Sequence, residues 1–232
     1  MNTANNPYQT EGKVAILIDG GFFLKRLQAL TKKNDCKNVE YIVKMIQILC
    51  SGHASRLGQQ IYRVFYYDCP PFENGLHNPL TNSFINFQKQ LQYQFKTELF
   101  DKLKSLRKMA LRLGRLNINS FCSWQIKPQK VKDLLLRKIT IDDLNPEEDI
   151  VPALQQKQVD MKIGVDITSM VLKKQVSTIV LVAGDGDFVP ASKLARREGV
   201  DFILDPMWAH INPNLKEHVD GINSVLFNGK KD

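Results

Sequence analysis

Asp185 and Asp187 stand one residue apart in "AGDGDF" (183–188), directly after the apolar run "TIVLV". Two carboxylates at the mouth of a buried strand can serve a turn, with Asp185 capping the next helix and Asp187 in its first turn. They can equally serve as hard oxygen ligands, which suit Mg²⁺ or Mn²⁺ better than zinc where histidines are few. The doublet alone leaves both readings open. Two more acids, Asp160 and Asp166, lie upstream in "QKQVDMKIGVD" (156–166). Six residues turn a regular helix through about 600°, so the pair cannot aim at one point. Asp160, nearer the helix start, is the expected site acid. Asp166 is expected to be exposed or paired with a lysine such as Lys162.

The same chemistry recurs at strand ends. "KVAILID" (13–19), "QIYRVFYYD" (60–68) and "VDFILDP" (200–206) read as strands closing on Asp19, Asp68 and Asp205. Sites in open α/β sheets form outside the carboxyl ends of the strands. Carboxylates gathered there repel unless one takes a proton or a cation neutralises them. Gly20, Gly21, Gly184 and Gly186 would let backbone approach a metal or phosphate closely. His53, His77, His210 and His218 fall in expected loops or the tail, so no metal-free acid–base pair suggests itself.

The elements that must position these acids alternate. "GGFFLKRLQALTKK" and "NVEYIVKMIQILC" have helical spacing, and "CPPFENG" stops the second strand. A long helix is expected over about 81–106, its stripe of Phe84, Phe87, Leu91, Phe95, Leu99, Leu103 and Leu106 packing into the core. The last third reads helix, strand, helix, strand, with an edge strand in the tail. Such alternation implies right-handed crossovers and a mostly parallel sheet covered on both faces. Residues 1–12 read as a disordered lead and 13–228 as a single domain with an insertion at about 70–150.

The chain has 232 residues, 43% of them hydrophobic, and a formal charge of +8, which favours a polyanionic partner. Eleven Lys or Arg lie between Lys102 and Lys138 against one acid, Asp133, and five acids follow in "ITIDDLNPEEDI". Lys108, Arg112 and Arg115 in this block, with Lys157, Lys193 and Arg196, are candidate phosphate contacts, and Phe121 and Trp124 could stack on unpaired bases. Cys36, Cys50, Cys69 and Cys122 are scattered, no apolar leader opens the chain, and no run suits a membrane span. A cytoplasmic location without membrane partners is expected, and a homo-oligomer is allowed. GxxxxGK(S/T) and GxGxxG are absent, which argues against a nucleotide kinase or dehydrogenase.

"ILIDGGFF", "KQVDMKIGVDITSMV", "IVLVAGDGDFVPASKLARREGV" and "FILD", in this order, resemble the NYN domains of the LabA (DUF88) group, relatives of the PIN-domain nucleases. The resemblance implies a three-layer α/β/α PIN-like (Rossmannoid) sandwich with a mostly parallel central sheet, here carrying an inserted basic segment. It implies a metal-dependent nuclease, foremost a ribonuclease, whose acids fall on Asp19, Asp160, Asp185 and Asp187 and bind Mg²⁺ or Mn²⁺. Water activated by the metal would attack phosphorus and leave a 3′-hydroxyl and a 5′-phosphate. A DNA-directed or structure-selective nuclease, or a non-catalytic nucleic-acid-binding module, are the alternatives. Gly186 stands where relatives often have Ser, and Phe22 and Phe23 lie where many have Asn nearby.

Overall fold

The computed structural model describes residues 12–31, 35–119 and 122–227. The expected disordered lead, but for Gly12, and Phe121 lie outside the described residues. In chain order the strands are β1 (Lys13–Asp19), β2 (Gln60–Asp68), β3 (Gly75–His77), β4 (Phe84–Asn86), β5 (Met109–Leu113), β6 (Arg115–Ile118), β7 (Trp124–Ile126), β8 (Ile150–Pro152), β9 (Leu154–Lys157), β10 (Thr178–Val182), β11 (Asp201–Asp205) and β12 (Gly221–Ile222). The α-helices are α1 (Gly20–Leu30), α2 (Val39–Leu57), α3 (Leu91–Ser105), α4 (Pro128–Leu135), α5 (Val159–Leu172), α6 (Val189–Arg197) and α7 (Pro213–Lys216).

The chain divides into two compact units, residues 1–68, 98–114 and 158–232 in the first and 69–97 with 115–157 in the second. The first unit holds a six-stranded sheet in the order β12-β11-β10-β1-β2-β5, parallel throughout. Both faces of its middle are covered, which is why β1 and β10 read as unbroken apolar runs. Val14 to Ile18 and Ile179 to Val182 have no exposed surface at all. Cutting Ile16 back to Ala would cost about 2–5 kcal/mol.

Three layers follow from handedness. β1 to β2 to β5 steps one way across the sheet, and β10 to β11 to β12 steps the other way. Right-handed crossovers then place α1, α2 and the second half of α3 on one face and α5 and α6 on the opposite face. Contacts agree: Lys102 of α3 bonds Glu40 of α2, and α5 packs on α6. α2 is capped by Asn38, which accepts from Tyr41 N at 3.3 Å, and ends at Gly58, whose φ of 65° admits a left-handed turn. α5 buries Val159, Ile163, Ile167, Met170 and Val171, one stripe of a 3.6-residue period.

The second unit is built from short ladders, β3–β4, β6–β9 and β7–β8, each antiparallel, with α4 between them in sequence. Asp149 ties its loops, accepting from Asn145 N at 3.0 Å and lying 3.2 Å from Lys130 Nζ.

The expected long helix over 81–106 is a hairpin, a 3₁₀ turn and a shorter helix. Asn78 Oδ1 accepts from Leu80 N and Thr81 N, Asn82 has φ 55°, and Asn86 caps the turn at Phe87–Lys89 through Gln88 N. Asparagine side chains that bond nearby amides compete with helix formation, which breaks the apolar stripe into pieces. Leu99 and Leu103 are buried, whereas Phe84 is 61% and Leu91 83% exposed. Residues 98–114 of the 70–150 span belong to the first unit, where β5 closes one edge of the sheet.

Candidate functional site

The sheet order reverses between β10 and β1, and the crevice outside their carboxyl ends is where α/β sheets place ligands. Asp19 closes β1 and caps α1, its Oδ1 accepting from Phe22 N at 3.1 Å. Ile18 lies level with Val182 of β10, so the chain leaving β10 through Ala183 and Gly184 starts beside Asp19. Asp185 follows, capping the 3₁₀ turn Gly186–Phe188 through Asp187 N at 3.3 Å. The turn role weighed for the doublet is therefore present, and both carboxylates remain exposed. Asp160 is exposed in the first turn of α5, as its place near the helix start required. Asp68 ends β2 on the other flank of β1 and is buried.

These acids act on one another. Asp19 is pushed up to about 6, first by burial and then by the charges of Asp160 and Asp68, against the opposing pull of the Phe22 and Gly21 amides. Asp160 is raised by burial, then by Asp185 and Asp187. Asp160 thus couples the acid of the first strand to those of the late turn. Like charges held together in this way favour protons or a cation.

Close approach is built in with glycine. A Cβ at residue 20 would stand 2.7 Å from Tyr66 Oη and 2.6 Å from its ring. A Cβ at residue 184 would meet the Phe22 ring at 2.6 Å, and one at 186 would meet Asn212 Nδ2 at 2.7 Å. Tyr66 is fully buried, its hydroxyl makes no hydrogen bond, and burial, Asp68 and Asp19 raise its pKa. Tyr66 and Asn212 were not legible as site residues. Gly20, expected to let backbone approach a metal or phosphate, is instead packed against the Tyr66 ring, and "NPN" in "INPNLK" reads only as a helix start, where Asn212 does cap α7.

No three Asp, Glu, His or Cys among the described residues converge as a ready-made metal cage. The donor set still fits a water-rich ion: all are hard oxygens, and Mg²⁺ is usually held by one or two carboxylates together with waters and substrate phosphate. Asp19, Asp160, Asp185 and Asp187 are the acids that could hold it between them, one or two directly and the rest through water. The raised affinity of Asp19 for protons and the unbonded Tyr66 hydroxyl mark polar groups whose charge or bonding is unmet at this edge.

Other candidates stand elsewhere. Asp205 is buried against His53 Nε2 at 2.8 Å and accepts from Met207 N at 2.8 Å. His53, expected in a loop, is inside α2, which runs seven residues past the expected end at Cys50 because Ala54, Ser55 and their neighbours keep helical bonds up to Gly58. Asp166 pairs with Arg112 rather than Lys162, accepting from Arg112 Nε at 3.1 Å and Tyr67 Oη at 2.9 Å. Its position six residues along α5 turns it toward β2 and β5. Burial and the Asp166 charge push the Tyr67 phenol up.

Among the cations, Arg112 also lies over the Phe65 ring at 5.3 Å, and Arg196 Nε donates to Asp220 at 2.7 Å. Lys193 is exposed on α6. Lys108 sits just before β5, at the end of that strand away from the acids, and donates to Ile61 O. In the second unit Arg115 and Lys157 face each other across the β6–β9 ladder, two exposed like charges directly paired. Such a pair is destabilising unless an anion bridges it. Trp124 is half-buried on β7. Cys50, Cys69 and Cys122 are free thiols, and among the described residues no helix is long and apolar enough to cross a membrane.

No curated protein matches the chain. A crystal structure of a protein of unknown function from Vibrio parahaemolyticus is similar over 92% of this chain and 93% of its own, at 14% identity and a TM-score of 0.43, too weak a likeness to carry an argument. The NYN domain profile matches residues 84–222, which takes in Asp160, Asp185 and Asp187 and leaves β1 with Asp19 outside. With more than half of its length matched, and a parallel sheet between two helical layers carrying acids at its carboxyl edge, this chain belongs to the NYN domain family of PIN-like nucleases.

Proposed function

We propose that this chain is a metal-dependent ribonuclease that hydrolyses phosphodiester bonds at the β10–β1 edge, using Asp19, Asp160, Asp185 and Asp187 with Mg²⁺ or Mn²⁺. What supports the reading is the raised proton affinity of Asp19 and Asp160 beside this edge, due first to burial and then to neighbouring acids, Asp160 and Asp68 acting on Asp19, and Asp185 with Asp187 on Asp160. A divalent ion bound there supplies charge relief to the phosphate and makes water more acidic. Asp19, fixed by the α1 amides, is the rigid member of the set. Of Asp160 and Asp187, both exposed, one receives the proton of the attacking water and the other holds that water in line with phosphorus. As the bond from phosphorus to the 3′ oxygen breaks, that oxygen takes a proton from solvent water and leaves as a 3′-hydroxyl, and the phosphate stays on the 5′ side.

Arg115 and Lys157 are proposed to take a backbone phosphate, since a bridging anion relieves their repulsion. Lys193 remains available for a second, while Lys108, Arg112 and Arg196 already have intramolecular partners. The second unit is proposed as an insertion that holds the strand, and the protein as cytoplasmic. End-labelled single-stranded RNA, single-stranded DNA and duplexes, incubated with Mn²⁺, Mg²⁺ or EDTA, test the reading. RNA cleavage that needs the ion supports it. Binding without cleavage under every ion would make the chain a binding module instead.

A further inference from the structure

The second unit contains a cavity of about 440 Å³ that the cleavage chemistry does not use. Four aromatic side chains, Phe72, Phe87, Tyr93 and Trp124, line it among prolines and aliphatic residues, and all four are half-buried, neither sealed in a core nor fully exposed. Phe72 and Phe87 meet edge to face at 5.3 Å between centroids, which fixes one wall. Gln90 and Gln156 add side-chain amides, each with donors and an acceptor. Gln156 is held in the β6–β9 ladder opposite Leu116, so its position is set by backbone pairing. Flat apolar walls with amides at the edge match a planar heterocycle whose rim carries donors and acceptors.

Charge points the same way. Residues 69–97 and 115–157 carry nine Lys or Arg and seven acids, a difference of only two. So small an excess leaves little charge for phosphates beyond the Arg115–Lys157 pair, whereas stacking needs no net charge. We infer that this cavity receives one unpaired base of a single-stranded nucleic acid, stacked against Trp124 and the Phe72–Phe87 wall and hydrogen-bonded by Gln90 and Gln156. The inference rests on nucleic acid being the substrate and adds that the strand is gripped through a base.

Binding of fluorescent single-stranded oligoribonucleotides to the full chain is measured in EDTA, so that cleavage plays no part. Trp124→Ala and Phe87→Ala should each weaken binding roughly ten- to a hundredfold, and Trp124→Phe should restore most of it. An abasic oligomer of equal length and charge should bind wild type correspondingly less well, yet bind Trp124→Ala as the intact oligomer does. The abasic arm needs no change to the protein and stands even where a variant fails to fold. Equal binding of abasic and intact oligomers by wild type overturns the inference, as does capture of a proline-rich or aromatic peptide in place of the oligomer. Failure of the nuclease reading looks different: metal-dependent cleavage is then absent while the base-dependent binding persists.

Discussion

The charge of Asp160, at the start of α5, raises the proton affinity of Asp19 at the end of β1, although the two residues come from opposite halves of the chain. Burial of Asp19 is the larger cause of its raised proton affinity, and the Asp160 charge adds to it. A cation bound between the two would relieve both.

Asp19 gives the repulsion a pH signature. Its pKa of about 6 lies above the ordinary 3.8, so the native state binds this proton more tightly than the unfolded chain does. The associated stability is fully present below pH 3.8 and is lost as pH rises to about 6, a fall of about 3 kcal/mol. Chelated protein melted across pH 4–8 should show this decline and then level. Mg²⁺ or Mn²⁺ should raise the melting temperature above pH 6 and do little below it, because protons compete for the same carboxylate.

Asp19→Asn keeps an oxygen that can accept from Phe22 N but cannot carry the charge. In EDTA at pH 8 it should be more stable than wild type, by about 1–3 kcal/mol, in chemical denaturation. The same variant should lose cleavage by at least about a hundredfold, the loss expected when a transition-state charge partner is removed.

Asp166 separates site from scaffold. Its partners are Arg112 and Tyr67, and the ion pair is 43% exposed on the arginine side. Asp166→Asn should therefore cost about 1 kcal/mol of stability and leave the cleavage rate within a few-fold, whereas Asp185→Asn should do the reverse. Steady-state cleavage beside a denaturation curve for each variant decides this.

How far these relations were legible depended on their range. Strands β1, β10 and β11 could be read from the sequence because doubly buried parallel strands are continuous apolar runs, and β2 from its aromatic second half; Asp19, Asp68 and Asp205 came with β1, β2 and β11. Asp160 followed from helix geometry. The Phe84–Leu106 stripe misled because a 3.6-residue period survives in a segment whose asparagines break it. His53–Asp205, Asp166–Arg112 and the Gly20–Tyr66 approach are long-range pairings, which no local pattern encodes.

Gly20 leads to a packing prediction. With Tyr66 Oη 2.7 Å from the site of a Cβ, Gly20→Ala should destabilise by about 1–3 kcal/mol. Tyr66→Phe, which removes a buried hydroxyl that makes no hydrogen bond, should be neutral or stabilising by about 1 kcal/mol. Thermal melts in EDTA check both.

Arg115 and Lys157 should report on phosphate contact. Replacing each with Ala should lower the slope of log affinity against log salt for single-stranded RNA by about 0.7, and should also stabilise the free protein slightly by ending their repulsion. Binding isotherms at several salt concentrations give the slope directly.

Calorimetric titration of Mn²⁺ into the chelator-free protein at pH 7.5 tests most directly whether acids distant in sequence share one cation. Wild type should bind Mn²⁺, and Asp19→Asn and Asp185→Asn should each weaken that binding at least tenfold, although one lies in β1 and the other after β10. Undiminished binding in either variant, or none in wild type, would contradict a shared site.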